Sequence, residues 1–156
     1  MINLNVSTMI YRPIGRVFDF VSTPENDFQW QYGILESARL SGATSNIGTL
    51  FRSVGHLMGR RIESTFEVIE YLPNRKYGFK SLSGLLQSQT FYTFEIASGS
   101  TKVTVSTQAN PANFFQMGER ILEKKMKKQL KEDLAMLKEI LETKQMLLAL
   151  ENSTLR

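Results

Sequence analysis

The sequence predicts an α+β fold in which a curved, seven-stranded antiparallel sheet wraps around one long C-terminal helix, with two short helices after the first strand. Three observations predict it. The hydrophobic period is two at the N-terminus. It is two again, in short runs separated by turn residues, from about residue 34 to 109. From about residue 111 it becomes helical and stays so for some 30 residues.

Ile2, Leu4, Val6 and Ile10 alternate with Asn3, Asn5 and Ser7, the pattern of a half-buried strand. Arg12 and Pro13 end it. Val17, Phe18 and Val21 then recur at helical spacing up to Ser22-Thr23-Pro24, where Thr23 is placed to cap a second short helix with Pro24 in its first turn. Six further strands are expected near 34–41, 49–57, 60–71, 75–82, 87–97 and 101–109. Turn residues at 42–44, 72–74, 83–84 and 98–100 separate them, so they should form a meander. Asn110 offers an N-cap and Pro111 a first-turn proline for the last helix. Its stripe reads Phe114, Met117, Ile121, Met126, Leu130, Leu134, Leu137 and Leu141. At 1.5 Å per residue such a helix spans roughly 45 Å, enough to cross a whole sheet.

One long helix and two short ones cannot cover a flat seven-stranded sheet, so the sheet must curl around the helix and leave space on its concave side. Alternation nominates Ile62, Ser64, Phe66 and Val68 for that side in the fourth strand, against Arg61, Glu63 and Glu67. In the fifth, Tyr77, Phe79 and Ser81 oppose Lys76 and Lys80; in the sixth, Thr90, Tyr92, Phe94 and Ile96 oppose Gln89, Thr93 and Glu95. Phe91 breaks this pattern by falling among the polar residues. The third strand, with Phe51 and Ser53 on one side and Val54 and His56 on the other, fits either orientation if bulged.

Composition bounds the function. The 156 residues suit one domain, expected over 1–145 with a helical extension or tail at 146–156, and 42% hydrophobic residues are enough for a core. Zero Cys excludes disulfides and thiolate chemistry, and one His leaves no transition-metal set. No phosphate or dinucleotide fingerprint is present, so no cofactor is expected. The N-terminus lacks the pattern of a signal peptide and no apolar run is long enough to span a membrane, which leads us to expect a cytoplasmic protein without stable membrane insertion. Net charge is +4, with Lys124, Lys125, Lys127, Lys128 and Lys131 interleaved with Glu119, Glu123, Glu132 and Asp133 on the polar side of the last helix. This reads as a solvated face and not as a nucleic-acid footprint, since no aromatics interleave with the lysines.

The run from Pro13 to Trp30, PIGRVFDFVSTPENDFQW, resembles the opening motif of the polyketide cyclase/dehydrase branch of the START superfamily (SRPBCC, the birch-pollen-allergen-like helix-grip proteins). GTLFR at 48–52, GRRIESTFEV at 59–68 and LAMLKEIL at 134–141 are similar to the same branch in order and spacing, so the resemblance covers about residues 2–145. It implies the helix-grip fold and a ligand cavity. Members range from lipid carriers and hormone receptors to aromatase-cyclases and chaperone activators, and no universal catalytic residue is carried over.

The candidate ligand contacts are Trp30, Phe51, Ser64, Phe66, Tyr77, Phe79, Ser81, Tyr92, Phe94, Met117 and Ile121. Trp30, with Phe28 and Tyr32, either gates the cavity mouth or is a packing anchor. Phe66, Phe79, Tyr92 and Phe94 either touch a ligand or fill the interior themselves. Tyr77, Tyr92, Ser64 and Ser81 are polar points among apolar walls, each in need of a partner. His56, near a hairpin and without a carboxylate partner in the sequence, is expected in solvent. Glu63 and Glu67 share a convex face with Arg61 and read as a solvated ion-pair surface. Met146, Leu147, Leu148 and Leu150 in the extension suit either a homodimer contact or a frayed tail.

Three functions remain open on these grounds. The first is a non-catalytic carrier or sensor of a hydrophobic or amphipathic small molecule. The second is a cyclase, aromatase or dehydratase acting on a polyketide-like substrate. The third is a chaperone-activator-like protein-binding module.

Overall fold

The computed structural model of the protein describes residues 1–154 apart from 43, 58, 85 and 112–117, with side chains described as far as residue 143. Seven strands, β1 (Ile2–Ile10), β2 (Ile34–Arg39), β3 (Leu50–Leu57), β4 (Arg60–Leu72), β5 (Lys76–Ser83), β6 (Gln87–Ala97) and β7 (Ser100–Asn110), form one sheet in the order β1-β7-β6-β5-β4-β3-β2. All pairings are antiparallel. Hairpins join β2 through β7 in sequence, and β1 closes the far edge against β7. The chain crosses between the two edges through α1 (Ile14–Val21), a 3-10 turn (Pro24–Asn26) and α2 (Asp27–Trp30). The long helix α3 (Glu119–Thr154) lies across the sheet. No described helix is long and apolar enough to cross a membrane.

Period-two burial makes this sheet two-faced. Val68, Tyr77, Tyr92, Phe94, Val103 and Val105 point inward and meet Val17, Phe18, Val21 and Trp30 from the crossover with Leu134, Leu137 and Leu141 from α3. Burying such side chains stabilises the fold by about 1.5–3 kcal/mol each. The outer face carries charge. Arg52 and Arg61 pair with Glu63, and Lys80 lies 3.7 Å from Glu67, all of them partly or largely exposed. Such pairs contribute little to stability.

Phe91, anomalous in the alternation, has a structural reason. It lies on the outer face over Gly78, its partner across β5 and β6, where a Cβ at Gly78 would stand 2.4 Å from the Phe91 ring. The ring fills the space the glycine leaves, and the Lys76 ammonium sits 4.9 Å from its centroid.

Several expectations change. Thr23 caps nothing forward; its hydroxyl donates back to the Asp19 carbonyl at 2.7 Å, and a 3-10 turn precedes the second short helix. Ile96 projects beyond the core and is 72% exposed. Asn110, expected as the N-cap of the last helix, is the last residue of β7, and Pro111 after it has no regular secondary structure; Phe114 and Met117 of the expected stripe fall on residues 112–117, outside the described ones. The described helix begins at Glu119, after Gly118. The apolar side chains of the 146–156 extension also lie outside the description, although its backbone continues the helix to Thr154.

Around Lys138 and Leu141, α3 is fastened to the exit of β1. The Arg12 guanidinium donates to the Leu141 and Glu142 carbonyls at 2.8 and 2.9 Å, and Lys138 donates to the Met9 carbonyl at 2.7 Å. Lys138 also sits 4.2 Å from the Tyr11 ring centroid, and Thr101 donates to the Arg12 carbonyl at 2.8 Å.

Candidate functional site

Strand pairing places Ser37 of β2 beside Ser53 of β3, and Ser53 beside Ser64 of β4. All three are buried. A row of three serines on a concave face leaves space that larger side chains would fill. Two positions further along β3 and β4, on the same face, Phe51 faces Phe66 instead, and with Phe79 they form a trio whose ring centroids are 5.2 Å apart. The aromatic trio closes the space that the serine row opens.

The result is a cleft of about 210 Å³ between the β3–β4 end of the sheet and α3. Ser53, Gly55, Ile62, Ser64 and Phe66 supply the sheet side; Met126, Gln129 and Asp133 supply the helix side; Gly33, Ile34, Leu86 and Ser88 complete the walls. Gly55 must be glycine, because a Cβ there would lie 2.1 Å from the Gly33 carbonyl oxygen. That close approach sets the β2–β3 wall, where the His56 amide donates to the Gly33 carbonyl at 2.7 Å. The cleft shares Gly33, His56, Leu57 and Gln129 with a wider depression of about 600 Å³ that adds Tyr32, Leu35 and Lys125.

Asp133 is the charged side chain buried in this wall, at 8% exposure. One of its oxygens, Oδ1, accepts from the Tyr32 amide at 3.0 Å and from the Gln129 side-chain amide at 2.8 Å. Burial pushes the Asp133 carboxyl above the usual aspartate range, although those two donors pull it down. Asp27, at the start of α2, is pushed well above that range by its burial and then by the Glu25 charge. Burial, followed by the charges of Asp27 and other nearby acids, also raises the Tyr77 and Tyr92 phenols. Both tyrosines therefore stay neutral at physiological pH. Arg39 holds Glu25, donating to its carboxylate from both backbone amide and guanidinium.

The expected ligand contacts separate into groups. Ser64 and Phe66 border the cleft, with Phe51 and Phe79 packed directly behind Phe66. Tyr77, Tyr92 and Phe94 lie in the main core; the two tyrosine rings stack at 6.2 Å and Phe94 meets Phe18 edge-on. Trp30 is an anchor, 2% exposed and edge-on to Tyr92 at 6.0 Å, while Phe28 and Tyr32 beside it are exposed. Its indole Nε1 is buried without a partner among the described residues. The Ser81 hydroxyl accepts from the Ser88 amide at 2.9 Å, fastening β5 to β6 where regular pairing has ended. Met117 lies outside the described residues. Ile121 corrects the expected stripe: it is 54% exposed, and Leu122, 1% exposed, takes the inward position.

Asp133 corrects a second expectation, since it leaves the solvated face of α3 and turns into the cleft wall. His56 is exposed at the cleft rim. Ser53, Gly55, Met126 and Gln129 join the site without having been anticipated there.

A family model described as polyketide cyclase / dehydrase and lipid transport matches residues 1–142. Among solved structures, a START superfamily protein from Mycobacterium smegmatis superposes with a TM-score of 0.78 at 14% identity, covering 92% of this chain and 99% of that one. The ginseng major latex-like protein 151 from Panax ginseng gives 0.68 at 12% identity, covering 87% and 94%. The di-domain ARO/CYC BexL from the BE-7585A biosynthetic pathway gives 0.71 at 14% identity, covering 91% of this chain and 47% of that one. At these identities the likeness is one of fold. No curated protein matches the sequence.

Proposed function

Because the chain belongs to the polyketide cyclase/dehydrase and lipid transport family, we propose that it binds a hydrophobic or amphipathic small molecule, of lipid, isoprenoid or polyketide-like character, as a carrier or sensor. The observation that carries this reading is the cleft between the serine row and α3, about 210 Å³ in volume, walled by Phe66, Ile62, Leu86 and Met126 with a few polar groups among them. Sites of this build take small apolar ligands. Covering about 200 Å² of apolar ligand surface contributes on the order of 5 kcal/mol before the cost of association, so a preformed cleft is needed for useful affinity.

A second reading, cyclase or dehydratase chemistry, draws on the presence of His56 and Asp133 around the same cleft, two groups of the kind that move protons. The test is native mass spectrometry of protein purified from its own host, followed by organic extraction of what it holds. A stoichiometric apolar ligand recovered unchanged after incubation supports the carrier. Conversion of that ligand, lost in His56→Gln, supports the enzyme. A clean unliganded mass, with no thermal shift across a panel of lipids and polyphenols, overturns both.

A further inference from the structure

The polar atoms of the cleft are unequally occupied. Asp133 Oδ1 takes both hydrogen bonds, from the Tyr32 amide and the Gln129 side chain, and Oδ2 accepts from no described residue. Oδ2 is therefore left to water, and a ligand that fills the cleft takes that water away, which is costly unless the ligand brings a donor of its own. Of the polar side chains that share the lining, Gln31, Ser53, His56, Ser64 and Ser88 make no hydrogen bond to Asp133 among the described residues, and Gln129 is already engaged with Oδ1.

We infer that Asp133 is the polar anchor of this site, and that its ligand presents a neutral hydroxyl donor at one end of an apolar body. The inference rests on the proposed binding function and narrows it to one chemical class. Charge and hydration weigh against the alternatives. An anionic head, as in a fatty acid, would meet the Asp133 carboxylate, which has Glu132 beside it in sequence. A cationic head would be drawn to Asp133 but would have to give up its hydration in a cleft with largely apolar walls, a cost that can exceed the attraction, and Lys125 borders the adjoining depression. A purely apolar chain would leave Oδ2 as it is. An alcohol or phenol satisfies it without adding a charge, and the hydrogen bond to a carboxylate is of the stronger kind.

Displacement of the fluorescent probe N-phenylnaphthylamine by decanol, decanoate, decylamine and decane tests this. Measured near pH 8, where ordinary carboxylates are ionised, decanol is expected to bind the wild-type protein roughly tenfold or more tightly than each of the other three. Decanoate, decylamine or decane binding as tightly as decanol overturns the inference, whatever any variant does. In Asp133→Asn one amide oxygen still accepts from Tyr32 and Gln129 while the free position becomes an N–H donor. The preference for decanol over decanoate is then expected to collapse. A variant that loses thermal stability but keeps the wild-type preference shows a clamp between α3 and the Tyr32 turn and overturns the anchor. If the probe itself fails to bind wild type, the binding function falls with it; if the probe binds and the preference is absent, only the anchor falls.

Discussion

Filling the serine row separates the architecture of the cleft from its use. Ser53→Leu replaces one hydroxyl by three carbons at the centre of the Ser37, Ser53 and Ser64 row. At about 24 cal/mol per Å³, filling the whole cavity of about 210 Å³ would be worth about 5 kcal/mol, an upper bound because the cleft opens to water on one side. The substitution itself sets a smaller figure. Three added carbons at about 0.8 kcal/mol each give roughly 2 kcal/mol, less about 0.5–1 kcal/mol for ordering the longer side chain. A net gain of about 1 kcal/mol raises the melting temperature of a chain this size by roughly 2–4 °C. The same carbons occupy the ligand's space, so affinity for an apolar probe should fall at least tenfold, equivalent to about 1.4 kcal/mol. Urea denaturation and probe titration on the same preparation read both effects. A variant less stable than wild type that still binds the probe at full affinity would refute the assignment of the serine row as the cleft floor.

Two further perturbations test the surroundings of the site. Asp27 keeps its proton to higher pH when folded than when unfolded. Stability from its protonated form is therefore complete below the unfolded value, about 3.9, and is lost as pH rises through the higher folded value. Asp27→Asn should be more stable than wild type at neutral pH and should lose less stability between acid and neutral conditions; parallel stability curves for the two proteins would contradict this. At Gly78, the added methyl of Gly78→Ala drives the Phe91 ring from its seat and should cost about 1–3 kcal/mol, most of it recovered in the double variant with Phe91→Ala. Additive costs in that double-mutant cycle would show that the ring and the glycine are not coupled.

The strands were legible because their apolar faces alternate, with Phe91 as the exception, and the turn residues between them left little freedom in pairing. The phase of α3 was nearly legible too. Ile121 and Met126 are five residues apart, a gap no single helical face supports, whereas Leu122, Met126, Leu130 and Leu134 run in fours. The cleft was harder to read. Its volume comes from what is missing at Ser53, Gly55 and Ser64, and small residues carry no periodic signal of their own. Asp133 was hidden in a helix segment dense in charge, where its burial depends on the Tyr32 amide more than a hundred residues away in sequence. Long-range pairing of that kind leaves no mark in local composition. Tyr77, Tyr92 and Phe94 were placed on the correct face, yet inward-facing is not the same as ligand-facing. In a narrow fold the inner residues divide between a packed core and an open mouth, and alternation cannot tell where one ends and the other begins.

The mounting of the long helix has a mechanical meaning. Around Arg12 and Lys138 it is held by charge-assisted bonds to carbonyls that are partly withdrawn from water. At its other end an ion pair joins the Met1 amino group to Glu119, exposed on both sides and therefore weak. Beside Glu119, however, Leu122 is buried against Ile2, Leu4 and Ala109, so the helix is seated on both sides of the cleft. A rod supported on both sides of an opening bends as a beam, most over the span between its seats, and here that span carries Met126 and Gln129, which roof the cleft. The roof yields by bowing, with both seats and the sheet left in place.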